Sequence, residues 1–269
     1  MNAVIKLSSS ATRDFWEIPV LFEDEHLLAL NKPAGLLVSP DRHDPKRPNL
    51  MRLLHTAIAG GKPWTRERKL DYLMNVHRLD GETSGVALLA KNKPALIALA
   101  NLFASETPTH KFLALIQGRP AADQFEVNVK LAPHPVKIGL MRVDLKNGKK
   151  SKTRFEVQEK FDGWALLKCE PLIGRKHQIR VHLRHAGLPL VGDELYGGKP
   201  LWLSRLKRDY RLKPGREERP LIARAALHAE ELSLAHPITG AALTITAPWP
   251  KDLKVGVKYL RQYAKATGG

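Results

Sequence analysis

The apolar residues of this chain come in short runs of strand length, closed by chain breakers. Leu27-Leu28-Ala29-Leu30 stops at Asn31-Lys32-Pro33-Ala34-Gly35, and Lys111 to Gln117 stops at Gly118. Val86 to Ala90 and Trp164 to Pro171 have the same character. A run this short, bounded by Gly, Pro or Asn, reads as a buried strand. Phe125 to Lys130 alternates as a half-buried strand should, and Glu230 to Leu234 with Ala242 to Ala247 frames the turn His236-Pro237-Ile238-Thr239-Gly240 as a hairpin. Helical spacing is confined to Leu50 to Ala59, Pro94 to Ser105 with proline in the first turn, His177 to Ala186 with Gly187 as its C′ residue, and a basic stretch from Pro250 onward. Many strands with irregular connections and few helices predict an α+β fold.

The connections carry most of the punctuation and much of the charge. Residues 40–50, 60–70 and 204–220 read as loops, the last two strongly basic. The segment 137–160 is basic too, and Asn147-Gly148 inside it is a hairpin-turn signal. Such a hairpin either lies along a polyanion backbone or is simply solvated. Residues 1–19 are small and polar and are expected to form a loose leader, with 20–269 as one domain.

Charge narrows the choice of partner. Forty-four Lys and Arg oppose 27 Asp and Glu, a net charge of +17. A surface this basic attracts polyanions through counterion release, so nucleic acid is the expected partner and an anionic membrane surface the alternative. One cysteine, Cys169, rules out an internal disulfide framework and a Cys-rich zinc ribbon. Its strand-like surroundings predict a small core residue rather than a nucleophile. The N-terminus lacks the apolar stretch of a signal peptide, and no run reaches the roughly 18 apolar residues of a spanning helix. A cytoplasmic, soluble, monomeric protein is expected, with no membrane and no obligate protein partner.

Taken singly, the polar residues near strand ends have plain explanations. Asp80-Gly81 suits a turn, Arg78 a surface, and His77 a hydrogen-bonded core position. Their order changes that reading. His77-Arg78-Leu79-Asp80-Gly81-Glu82-Thr83-Ser84-Gly85, followed by the apolar run to Ala90, resembles the central H-R-L-D-x-x-T-S-G motif of RluA-type pseudouridine synthases. The resemblance extends over roughly residues 20–255. Asp24-Glu25-His26 with Leu30 to Gly35 resembles the first motif, and Gly174 to Leu183 resembles the G-R-x-H-Q-I-R-x-H motif. Val191-Gly192-Asp193 with Leu195-Tyr196-Gly197, then Leu227-His228-Ala229, and His236-Pro237 with Thr239-Gly240 follow in order.

The resemblance implies the fold of that family: a long, mixed, mostly antiparallel sheet flanked by helices, with a central RNA-binding cleft and Asp80 at its floor. It implies an RNA pseudouridine synthase acting on rRNA or tRNA without cofactor or metal. The reaction breaks the bond from ribose C1′ to uracil N1, turns the base and joins C1′ to C5. One carboxylate serves, either at C1′ or by proton abstraction from the sugar. The resemblance places that role on Asp80. It places a guanidinium, Arg180, beside it to hold the carboxylate ionised against burial. Arg78 would occupy the space left by an extruded uridine or hold the flipped strand. His77, Thr83, Lys111, Arg175, His177 and Leu227 complete the expected RNA-facing set, with Thr83 and Ser84 shaping the loop and Gly85 permitting close backbone approach. Only about 20 residues precede the first motif, so the S4-like domain of many relatives is expected to be absent.

One position departs from the pattern. Lys111-Phe112-Leu113-Ala114 matches K-x-Y-x-A except that Phe112 replaces the usual Tyr. Stacking on a base needs only the ring, which Phe112 retains; proton exchange needs the missing hydroxyl. A related tRNA-modifying branch carries Phe there. The alternatives are a catalytically impaired RNA-binding or assembly protein on the same fold, and a nucleoside glycosidase releasing uracil. His177, His182 and His185 lack the companions of a metal motif. Glu82 beside Asp80 is a poor partner for a glycosidase pair, since a facing carboxylate would favour protonation.

Overall fold

The computed structural model describes residues 4–9, 11–41, 44–213 and 215–266. In chain order the elements are β1 (Val4–Ser8), β2 (Phe15–Glu23), β3 (Leu27–Lys32), α1 (Leu50–Ala59), α2 (Pro63–Glu67), β4 (Met74–Asn75), β5 (Ser84–Ala90), α3 (Lys93–Ala104) and β6 (Thr109–Gln117). Then come β7 (Gln124–Asn128), β8 (Leu131–Pro133), β9 (Met141–Val143), β10 (Lys152–Phe161), β11 (Trp164–Pro171), α4 (Gln178–His185), α5 (Leu203–Leu206), β12 (Leu227–Ala235), β13 (Ala242–Thr246) and α6 (Lys251–Tyr263). The α+β class expected from the short apolar runs is the class observed. The chain divides into two compact units, one of residues 1–110 and 229–248, the other of 111–228 and 249–269.

In the first unit β1, β2, β3 and β5 form consecutive antiparallel ladders, and β12 pairs antiparallel with β13. The period of two along β3 and β5 divides their side chains between two cores. Leu28, Leu30, Ala87 and Leu89 pack with Leu50, Met51, Leu53 and Leu54 of α1. Leu27, Ala29, Val86, Leu88 and Ala90 pack on the opposite face with Ala95 and Leu99 of α3 and with Leu232, Leu234 and Ile245. Residues 27–30 and 86–90 are buried on both faces, which is why they read as continuous apolar runs. Gly85 in β5 has φ +116°, and a Cβ there would meet the Ala229 carbonyl oxygen at 2.1 Å. No other residue type fits.

In the second unit β6, β11, β10 and β7 form antiparallel ladders. Leu113, Leu115, Phe161 and Leu166 from these strands pack with Val191, Leu201 and the buried face of α6, Leu253, Val257 and Leu260. Cys169 is fully buried in β11, and burial pushes its thiol pKa up, so it stays a protonated core residue.

Helix ends follow the local chemistry. Asn49 caps α1 by accepting the Arg52 N–H at 2.9 Å, and Asn92 caps α3 by accepting from Ala95 at 2.9 Å. Gly187, at φ +73°, follows the C-cap of α4 as expected.

Three expectations need correction. The leader is not loose: β1 pairs with β2 through Val4–Ser8, and Ile5 and Leu7 are buried against the α1 core. The alternation of Ile5 and Leu7 is the signal, too short to stand out among polar neighbours; residues 1–3 lie outside the described residues. The loop 60–70 contains α2, started by Pro63 in its first turn. Asn147-Gly148 does not close a hairpin. β9 pairs with β8, whereas β10 pairs with β11 and β7. The turn is organised instead by Asp144, whose Oδ1 accepts the N–H groups of Lys146 and Asn147 at 3.2 and 2.9 Å.

The two turn motifs at the first unit's edge meet through a carboxylate. Asp24 Oδ1 accepts from the amides of His26 (2.8 Å) and Leu27 (2.7 Å), and Oδ2 accepts from His236 Nε2 at 2.8 Å. His236 Nδ1 accepts from Ile238 and Thr239, so its hydrogen sits on Nε2. Burial alone would raise the Asp24 pKa, but these bonds outweigh it and hold the carboxyl below its usual range. A depressed native pKa contributes stability above the unfolded carboxyl pKa and loses it as pH falls through the native value. Asp24→Ala should therefore cost about 1–2 kcal/mol at pH 7 in urea unfolding, with the gap from wild type narrowing below about pH 4.

Candidate active site

The segment His77–Thr83 forms a short loop between β4 and β5. Its backbone is pinned at several points. The Asp80 carbonyl accepts the Thr83 N–H at 3.1 Å, and the Gly81 carbonyl accepts the Gly35 N–H at 2.8 Å. The same Gly81 oxygen accepts from Lys32 Nζ at 3.2 Å. Lys32 is completely buried and also donates to the carbonyls of Pro33 (2.8 Å) and Leu36 (2.7 Å). Three carbonyl dipoles thus surround one ammonium, and the first motif is tied directly to the residue after Asp80.

Within the loop, Arg78 is exposed, Asp80 is partly buried and Leu79 points into the core. Thr83, placed in the RNA-facing set with a part in shaping the loop, is only 2% exposed and lies in the loop's internal geometry. His77 is also turned inward. Its Nε2 accepts the Leu88 N–H at 2.9 Å, and its ring stacks on Phe103 at 5.4 Å and 6°. Burial, with His110 adding charge repulsion, lowers the His77 pKa to about 3, so the ring is neutral at physiological pH. His110, edge-on to His77, is lowered by burial to about 4.

The second unit gathers the other expected residues around the start of α4. His177 is its N-cap residue, held in the left-handed region at φ 54°. Gln178 donates to the Lys152 carbonyl and to Thr153 Oγ1, both at 3.0 Å. One turn later His182 meets Ser151 Oγ and Thr153 Oγ1 at 2.9 Å, which seats this face of the helix on the start of β10. Desolvation, with a smaller contribution from His185, lowers the His182 pKa to about 4; it is a neutral structural imidazole. Arg175 is exposed, with Nε donating to the Lys150 carbonyl at 3.3 Å.

Arg180 is buried, 4% exposed, and forms a two-pronged pair with Asp193: Nε to Oδ2 and Nη2 to Oδ1, each 2.7 Å. Its guanidinium carbon also lies 4.9 Å from the centre of the Tyr196 ring. Tyr196 Oη accepts the Met141 N–H at 2.9 Å and lies 2.7 Å from His177 Nδ1. One aromatic residue therefore braces Arg180, His177 and strand β9 together. In the sequence Asp193 and Tyr196 stand within a motif that assigns them no role. The available signal was the charge of Asp193, which needs a cation once it is buried.

Phe112 is 9% exposed and stands opposite Cys169 in the β6–β11 ladder, with Lys111 beside it. Leu227, expected to face RNA, has a buried side chain; its carbonyl accepts from Arg224 Nη1 at 3.1 Å.

Comparison with known proteins agrees with this arrangement of motifs. Residues 26–185 match the family model described as RNA pseudouridylate synthase. Ribosomal large subunit pseudouridine synthase C of Salmonella typhi is 35% identical over 91% of this chain and 70% of its own length. The protein of the same name from Escherichia coli strain K12 is 34% identical over 90% of this chain and 70% of its length. Ribosomal large subunit pseudouridine synthase D of Nitrosomonas europaea is 35% identical over 91% of this chain and 65% of its length. Among solved structures, Human RNA Pseudouridylate Synthase Domain Containing 1 superposes with a TM-score of 0.62 at 25% identity, covering 87% of this chain and 84% of that one. Human RNA Pseudouridylate Synthase Domain Containing 4 does so at 0.66 and 24% identity, covering 90% and 92%, a likeness of fold.

Removing one partner of a buried ion pair leaves the other charge without compensation. Asp193→Ala should therefore lower unfolding stability by about 3 kcal/mol in guanidinium titrations, well beyond the effect expected for an exposed pair such as Lys6–Glu17.

Proposed function

Since this chain belongs to the RNA pseudouridylate synthase family and is an RNA-modifying isomerase, we propose that it converts uridine to pseudouridine in large-subunit ribosomal RNA, with Asp80 as its catalytic carboxylate. The observation that carries the assignment is the position of Asp80: a partly buried carboxylate in a loop whose backbone is clamped by Lys32, Gly35 and Thr83. The ribosomal target is supported by the names of the relatives; tRNA is the other candidate.

Asp80 acts on the ribose, the N1–C1′ bond breaks, the freed uracil turns, and a C5–C1′ bond forms. C5 then loses its proton while N1 ends with one, so nothing is oxidised or reduced. Arg180 is assigned to keep the carboxylate ionised. The two-pronged pair with Asp193 orients its planar guanidinium. Arg78, exposed beside Asp80, suits the space left by an extruded base. Phe112 offers a ring face for stacking, and with no hydroxyl there the C5 proton leaves to another group or to water.

The basic segment between β8 and β10 supports recognition of an RNA backbone. Arg142 is paired with Asp144, and Lys152 with Glu126, whereas Lys137, Lys146, Lys149 and Lys150 are exposed. Exposed lysines on a connecting segment contact phosphates by charge, giving salt-dependent affinity.

Two measurements test this reading. With large-subunit rRNA labelled with tritium at uracil C5, wild type should release tritium and Asp80→Asn should give only background. Equal release from the two would remove Asp80 from the chemistry, and free uracil without pseudouridine would select glycosidase activity instead. In the same assay Phe112→Tyr should retain turnover, while Phe112→Ala should lose at least about tenfold in kcat. Replacing Lys146, Lys149 and Lys150 together with Gln should weaken RNA binding and lower the slope of log Kobs against log salt by about 2–3.

A further inference from the structure

We propose that His77 is a positioning residue for Asp80: its imidazole takes the place of a strand carbonyl on the edge of β5 and roots the reactive loop to the sheet. The inference rests on the assignment of Asp80 made above.

The geometry of the β5 edge carries it. At one end β4 completes the ladder, Met74 opposite Ala90 and Asn75 opposite Leu89. At the other end Gly85 lies against Ala229 of β12. Between these two stretches the amide of Leu88 is met by a ring nitrogen, His77 Nε2 at 2.9 Å. A buried amide left without an acceptor is costly, so the imidazole supplies what a paired strand would have supplied. For Nε2 to accept, its lone pair must be available, which puts the ring hydrogen on Nδ1 and requires the neutral ring.

The same residue is held at its backbone. The His77 carbonyl accepts from Asn75 Nδ2 at 3.2 Å, and Asn75 Oδ1 accepts from Ser39 Oγ at 3.3 Å. Its ring face is covered by Phe103 of α3 and its edge by His110. Asp80 is three residues further on, a span of about 10 Å at most. The far end of the loop is fixed by the Asp80–Thr83 turn and by Lys32 on Gly81. Asp80 is thus suspended between two anchors, and His77 is one of them. Its acceptor nitrogen and ring face are both engaged inside the fold, so His77 acts through Asp80 rather than by touching RNA.

Two substitutions separate the acceptor from the ring. His77→Phe keeps an aromatic face for Phe103 but has no acceptor, and His77→Gln places an oxygen near the Nε2 position. The full-length protein is assayed for RNA affinity, tritium release and hydrogen exchange at the Leu88 amide. His77→Phe should keep its Kd for rRNA within about twofold, speed Leu88 exchange, and lose at least about tenfold in kcat. His77→Gln should restore Leu88 protection and bring kcat within about threefold of wild type. Imidazole nitrogen shifts of wild type should report hydrogen on Nδ1. A loss of RNA affinity with kcat intact, an unchanged kcat in His77→Phe, or a His77→Gln variant as slow as His77→Phe would each overturn the proposal. If His77→Phe fails to fold, His77→Gln decides alone, by the same threefold limit. Asp80→Asn runs alongside: turnover in that variant would defeat the assignment of Asp80 itself, whereas a dead Asp80→Asn with a fully active His77→Phe would defeat only the role of His77.

Discussion

A lysine ammonium with no exposure to water is the point about which the loop that carries Asp80 is built. Lys32 could not be buried as a cation without compensation, and its three carbonyl acceptors provide it. Two of them belong to the turn that follows β3, and the third is Gly81, next to Asp80. The cost of burying the charge therefore fixes the distance between the first motif and the loop that carries Asp80. Gly35 repeats the connection through its own amide, so the Gly81 carbonyl is held from two sides. With the loop secured there, and with His77 clipped to β5, the backbone around Asp80 has little freedom to move independently of the sheet.

The second unit uses charge in the same manner but with a different result. Arg180 and Asp193 are both buried and meet in a planar, two-pronged arrangement that a lysine could not reproduce. Tyr196 adds a ring surface beneath the guanidinium and ties His177 and β9 to it. A guanidinium held this way keeps one orientation. Histidines in both units are kept neutral by burial and serve as hydrogen-bonding struts: His77 under β5 and His182 under β10. None of the chemistry proposed for Asp80 calls on an imidazole to titrate.

Much of the architecture was legible from residue order. β3 and β5 announced themselves through the apolar runs 27–30 and 86–90, because both faces of those stretches are buried. The helices α1 and α3 were visible from their spacing, and α3 also from proline in its first turn. Strand β1 was missed because two buried positions in five are too weak a period to rise above polar neighbours. Asn147-Gly148 misled because a turn signal specifies a local bend and says nothing of which strands flank it; Asp144 and the partners of β9 and β10 decided that.

By itself the sequence determined the class of fold, the family, and the loop and helix on which Asp80 and Arg180 stand, because short apolar runs and ordered motifs are properties of neighbouring residues. Tertiary structure alone decided which polar residues serve as struts. Lys32, His77, Thr83 and Asp193 look alike in a sequence whether they face solvent or the interior. The physical reason is that a buried polar group is defined by its partners, and those partners lie far along the chain: Lys32 meets Gly81, and His77 meets Leu88. Only folding brings such pairs together, and only then does an apparent RNA contact such as His77 become an internal acceptor.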